Sequence, residues 1–209
     1  MNWSKCWLML ALLVCSQLSM ADQRIIVIGD SISEHIYCWP SELRLEKPQL
    51  NLQLMTQSGR NIRDFSMPRD LRNVSQKDVV IYFLGMNDAL AAYPMRYVND
   101  AFVSHMVFLQ ERKFRVIVLL PPTSSLLVPR IEYVRTVIKM QSLRLGIEHY
   151  DLQFWDESMT KDGMHPGPEL SRLVAEFVYS LLELDLHTGS VIIQSESECS
   201  PDGATQDQG

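Results

Sequence analysis

Arg24-Ile25-Ile26-Val27-Ile28-Gly29-Asp30-Ser31-Ile32-Ser33 is the stretch on which the reading of this chain turns. A continuous apolar run ends abruptly in Gly-Asp-Ser. The run is β-branched, which suits a strand buried on both faces of a parallel sheet. Gly29 permits a tight turn at its end. Ser31 then falls just past the carboxyl end of a central strand, where open α/β sheets place their ligands. Taken alone, this serine has two readings: a nucleophile, or the N-cap of a following helix.

The whole chain has 209 residues, which fits one domain with a sizeable core. Its hydrophobic fraction of 46% and charged fraction of 21% are those of an ordinary globular protein. A net charge of -6 supplies no basic footprint for nucleic acid. The first 21 residues read as a signal peptide: Lys5, a short apolar run from Cys6 to Cys15, then small residues in Ser19-Met20-Ala21. That run is too short to span a bilayer, so the mature chain is expected to be secreted or periplasmic with no transmembrane segment. Cys15 as a lipidation site is the weaker alternative, because bulky Val14 precedes it. Removal of the leader leaves Cys38 and Cys199, either as a disulfide or as two unpaired thiols. No Cys/His spacing suits a metal. Asn73-Val74-Ser75 is a glycosylation sequon.

Four further apolar runs read as strands: Asn51 to Thr56, Val79 to Leu84, Arg115 to Leu120 and Ile147 to Leu152. Helical stripes lie between and after them. Met95 to Arg112 carries Val98, Phe102, Met106 and Leu109; Ile131 to Leu145 carries Val134 and Ile138. Glu169 to Leu184 carries Leu170, Leu173, Val174, Phe177, Leu181 and Leu182 on one face. Strands alternating with helices imply right-handed crossovers. The expected class is α/β, a three-layer α/β/α domain over residues 22–187 with a flavodoxin-like, five-stranded parallel sheet. From residue 188 to 209 the chain is rich in Ser, Glu, Gln, Asp and Gly and is expected to be a disordered tail.

Small motifs cluster at the strand ends. Gln57-Ser58-Gly59-Arg60 follows the second strand, and the third runs into Gly85-Met86-Asn87-Asp88. A short acidic loop after the fifth leads to Asp162-Gly163-Met164-His165-Pro166-Gly167. In a parallel sheet all of these open onto one edge, where Ser31, Gly59, Asn87, Asp162 and His165 would meet. The residue types suit acyl transfer. A serine hydroxyl needs a neighbouring base, which His165 can be. A carboxylate on the other ring nitrogen fixes the tautomer and balances the imidazolium, a role open to Asp162. The backbone N–H groups of Ser31 and Gly59 and the amide of Asn87 can receive an oxyanion. Each residue also has a plain reading, as a turn glycine, a helix cap or a solvated histidine.

Taken together and in this order, the blocks resemble the SGNH, or GDSL, hydrolases. The first block of that family matches Gly29-Asp30-Ser31-Ile32, its second Gly59, its third Gly85-Met86-Asn87-Asp88 and its fifth Asp162-Gly163-Met164-His165. The resemblance covers residues 24–185. It implies a serine esterase with Ser31, His165 and Asp162 as catalytic triad, and Ser31, Gly59 and Asn87 as oxyanion hole. Size and leader resemble the small exported thioesterase/lysophospholipase members. Those often carry Gly-Gly-Asn-Asp where this chain has Met86.

Tyr37, Trp39 and Pro40 after the serine, Met86, and Leu126 in the apolar loop from Pro121 to Pro129 are the candidates for contacting an acyl group. Arg60 could meet a substrate phosphate or carboxylate. The expected substrate is a small-molecule acyl ester, a lipid or an O-acylated glycan, and the chemistry calls for no cofactor. An acyltransferase, a deacetylase acting on O-acylated glycans, or a non-catalytic lipid- or carbohydrate-binding relative are the alternatives.

Overall fold

The structure, a computed structural model, describes residues 23–34, 38–74, 77–91 and 93–187. The expected leader, the tail, Tyr37, Ser75 and Cys199 lie outside the described residues.

The apolar runs become five parallel strands: β1 (Arg24–Gly29), β2 (Asn51–Thr56), β3 (Val79–Phe83), β4 (Arg115–Leu119) and β5 (Glu148–Tyr150). Their order across the sheet is β2-β1-β3-β4-β5, the flavodoxin-like arrangement. The central strands are sealed on both faces, which is why they read as unbroken apolar runs: Ile25 to Ile28 and Val79 to Phe83 are all at most 1% exposed. The two edge strands are more polar and only partly covered. β5 is shorter than its apolar run. The N–H of Ile147 still donates to Ser142 O at the end of the preceding helix, so the ladder begins one residue later.

Among the described residues six α-helices accompany the sheet: α1 (Trp39–Glu46), α2 (Met67–Asp70), α3 (Met86–Leu90), α4 (Met95–Glu111), α5 (Arg130–Leu145) and α6 (Pro168–His187). β1 connects to β2 in one direction along the sheet, whereas β3 to β4 and β4 to β5 run in the other. Right-handed crossovers therefore put α1 on one face and α4 and α5 on the other. α6 returns to pack on α1, and Leu170, Val174, Val178, Leu181 and Leu182 form its buried stripe. Each such side chain contributes roughly 1.5–3 kcal/mol by leaving water.

α1 departs from the expectation that Trp39 and Pro40 contact an acyl group. They instead open a helix, with Pro in its first turn, where a missing N–H costs nothing. Trp39 is fully buried and its indole N–H donates to Ser33 Oγ at 3.0 Å, so it buttresses the turn after Ser31 from within the core. Cys38, next to it, is buried with a free thiol. No described helix is long and apolar enough to cross a membrane.

Candidate active site

Every strand of a parallel sheet ends at the same edge, and the loops leaving that edge build the site. β1 ends at Gly29 and passes directly into a single 3₁₀ turn, Ser31–Ser33. Asp30 caps that turn, its Oδ1 accepting the N–H of Ile32 at 3.0 Å. The cap keeps Ser31 at the mouth of the turn, partly exposed. Glu34, one residue past the turn, accepts the N–H of Ser58, which ties the serine loop to the loop carrying Gly59.

The second half of the site is a tight turn set by its own sequence. Thr160 and Pro166 form an antiparallel bridge, and the N–H of Lys161 donates to His165 O at 2.8 Å. Between them Gly163 takes φ +84°, a left-handed conformation that disfavours a side chain. Asp162 Oδ1 accepts the N–H of Met164 at 3.1 Å and of His165 at 2.8 Å. Its other oxygen faces His165 Nδ1 at 2.7 Å. A carboxylate can only accept, so the imidazole hydrogen sits on Nδ1 and Nε2 presents a lone pair. That lone pair faces Ser31 Oγ at 2.9 Å, across 134 residues of sequence. The backbone N–H of His165 above all, with the imidazole and the Met164 N–H, draws the Asp162 carboxyl down to about 2. It is therefore ionised at any ordinary pH.

The remaining residues arrive from β2 and β3. Gly59 has φ +74°, and nothing lies within 4 Å of the position its Cβ would take. Among the described residues, the backbone N–H groups of Ser31 and Gly59 donate to no other protein group. Asn87, in the first turn of α3, turns its amide toward the serine loop. Its Nδ2 donates to Asp30 Oδ2 at 3.2 Å and to the backbone carbonyl of Arg60 at 3.2 Å. The structure thus brings Ser31, His165 and Asp162 into one hydrogen-bonded line and sets Asn87 beside it.

The other candidates separate. Met86 is 4% exposed and packs into the core. The Arg60 guanidinium already has partners: it pairs with Asp70 at 3.2 Å and stacks on the Phe65 ring at 4.1 Å. Leu126 is 62% exposed and lies against the Asp162–His165 turn, since a Cβ on Gly163 would come within 2.9 Å of Leu126 Cδ1. Ser125 holds that loop in place, its hydroxyl donating to Glu157 Oε1 at 2.7 Å. His105 is buried between the Tyr82 hydroxyl and Phe65 O, and burial pushes it down to about 4, so it serves the core as a neutral ring. Among the described residues, no group of three or more His, Cys, Asp or Glu side chains could hold a metal ion. The Asp30–Asn87 contact was not anticipated. The capping role of Asp30 is a local pattern, but its second oxygen reaches 57 residues along the chain, and only the sheet order brings the two together.

No protein-family model matches the sequence, and no curated protein does. Solved structures do. A member of the lipolytic protein G-D-S-L family from Veillonella parvula aligns over 79% of this chain and 100% of its own, at 22% identity and a TM-score of 0.62. An acetyl xylan esterase aligns over 76% of this chain and 99% of its own, at 17% identity and a TM-score of 0.66. The psychrotrophic esterase EstA from Pseudoalteromonas sp. aligns over 80% and 100%, at 16% identity and a TM-score of 0.66. With the sheet order and these neighbours, the chain has the fold of the SGNH (GDSL) hydrolases.

Proposed function

We propose that this protein is an exported serine esterase of the SGNH type, hydrolysing carboxylic esters or thioesters through an acyl-Ser31 intermediate. One observation carries the reading: Ser31 Oγ lies 2.9 Å from His165 Nε2, and His165 Nδ1 lies 2.7 Å from Asp162 Oδ2. A core or a binding surface has no need of a hydroxyl aligned on a base that is itself aligned on a carboxylate.

In this reading Ser31 Oγ attacks the substrate carbonyl while its proton passes to His165 Nε2. Asp162 stabilises the imidazolium and keeps its ring oriented. The developing oxyanion is received by the Ser31 and Gly59 N–H groups and by Asn87 Nδ2. Collapse expels the alcohol or thiol, which takes the proton from His165, and water then attacks acyl-Ser31 by the same route. Leu126, exposed beside the turn, is the apolar contact for the acyl chain. The apolar leader read in residues 1–21 supports export.

The test is hydrolysis of p-nitrophenyl esters of increasing chain length by the mature protein beside Ser31→Ala. The wild type is expected to hydrolyse them, and the variant to lose roughly 10³-fold or more in kcat. Equal rates would remove Ser31 from the chemistry.

A further inference from the structure

The turn that presents Ser31 contains a buried carboxylate to which the acyl-transfer steps above give no role. Asp30 is 1% exposed. Its Oδ1 accepts the Ile32 N–H and its Oδ2 one hydrogen of the Asn87 amide. The Arg60 carbonyl accepts from the same amide nitrogen. A primary amide has two hydrogens, so both are engaged before any substrate arrives. An oxyanion can gain one only by displacing an acceptor. The two acceptors are unequal. A bond to a carboxylate is charge-assisted and roughly twice as strong as one between neutral groups. The Arg60 carbonyl is neutral and belongs to the loop that carries Gly59.

We propose that Asp30 is a positioning residue: its carboxylate anchors the Asn87 amide, and the Arg60 carbonyl is a placeholder that surrenders its hydrogen to the oxyanion. This deepens the esterase reading and rests on it. The anchor requires ionised Asp30. As an acid, the group would turn an O–H toward one of the two donors it now accepts from. Burial pushes Asp30 up to about 7, and the Asp88 carboxylate on α3 adds to the rise. The Ile32 N–H, His165 on the triad turn and the Asn87 amide pull the other way. Anchoring is therefore complete above about pH 7 and is lost as pH falls through that value. The profile of log kcat/KM of the wild type should carry a step near pH 7 that is missing from a variant without a titrating group at position 30.

The experiment measures p-nitrophenyl acetate hydrolysis against pH for wild type, Asp30→Asn, Asn87→Ala and the double variant. Asp30→Asn is expected to lower kcat by about 10- to 100-fold, below the roughly 10²- to 10³-fold loss of a whole oxyanion donor, with KM changed less than about twofold. The step near pH 7 should be missing from its profile, and its cost should vanish in the Asn87→Ala background, as it must if Asp30 acts through that amide. Should Asp30→Asn not fold, Asp30→Ser replaces it, since a serine can still cap Ile32 but is too short to reach Asn87. In parallel, the Asn87 side-chain amide is followed by ¹⁵N NMR in Ser31→Ala. It should titrate near pH 7 and cease to titrate in Asp30→Asn/Ser31→Ala. Wild-type kcat and an unchanged step near pH 7 in Asp30→Asn, an undiminished cost in the Asn87→Ala background, or an amide that does not titrate would each overturn the anchor. A wild type inert toward every ester overturns the esterase reading instead, while the NMR titration still reports on the Asp30–Asn87 contact.

Discussion

Asp162 shows how much one exposed carboxylate can be made to do by its neighbours. Its side chain is 51% accessible, yet both oxygens are committed, one to two backbone N–H groups and one to the imidazole. A carboxyl drawn down to about 2 is ionised at neutral pH. Its contribution to the folded site is complete above the ordinary carboxyl value and is lost only as pH falls toward 2. The titration of Asp162 therefore adds no pH dependence to activity near neutrality. Its charge and its acceptor oxygen matter directly. In Asp162→Asn the amide oxygen can still accept the backbone N–H groups, but the NH2 group then faces the Nδ1–H of His165 and favours the wrong tautomer. In a buried triad this costs roughly 10⁴ in kcat. Because water reaches Asp162 and can substitute in part, the expected loss is about 10²- to 10³-fold, read as kcat on p-nitrophenyl acetate. The identity of this residue was legible in the sequence, since Asp162 and His165 are three apart around a glycine. The partner of Asn87 was not, because nothing local links positions 30 and 87.

At the scale of elements, the site is two short turns held against each other by a loop. Leu126 and Glu157 both crowd Gly163, whose added Cβ would lie 2.9 Å from Leu126 Cδ1 and 3.1 Å from Glu157 Oε1. Gly59 has a similar backbone conformation but open space around it. An alanine at either position carries the left-handed backbone penalty of about 1–2 kcal/mol, and only Gly163→Ala also meets a neighbour. Urea unfolding should place Gly163→Ala below Gly59→Ala, and Leu126→Ala added to Gly163→Ala should recover part of the difference. Equal midpoints for the two glycine variants would mean that the loop yields freely. The strands and the three long helices were legible because their apolar residues recur with period two or 3.6 or run unbroken. α1 was not. It has eight residues, buries Trp39, Pro40 and Leu43, and carries Glu42, Arg44 and Glu46 among them, too short and too charged for a periodic signal.

For the molecule as a whole, a parallel sheet divides labour between its two edges. The carboxyl edge gathers the reactive groups, and the amino edge is closed by an ion pair between the first residue of β1 and the residue before β3. Arg24 Nη2 lies 2.7 Å from Asp78 Oδ2, Nε donates to the same oxygen at 3.2 Å, and the Arg24 backbone N–H donates to Asp78 Oδ1. Asp78 is 3% exposed. The alternation of strands and helices pointed to a parallel sheet with a flavodoxin-like order as the expectation, but this pairing across 54 residues was not legible, because it depends on the register that sets Ile25 against Val79. Removing one partner of a buried pair costs roughly 3–5 kcal/mol. Arg24 is 26% exposed and also donates to Gln53 and to Asn73 O, so the lower part of that range applies. Asp78→Ala should lose about 3 kcal/mol in urea unfolding while kcat and KM on p-nitrophenyl esters stay within about twofold of wild type at a temperature where both are folded. The length of β1 and β3 separates this pair from Ser31, and strands this well packed behave as rigid spacers. A variant that keeps its unfolding midpoint but loses activity would show that the two edges are coupled through the sheet, and that stability and chemistry are not divided between them.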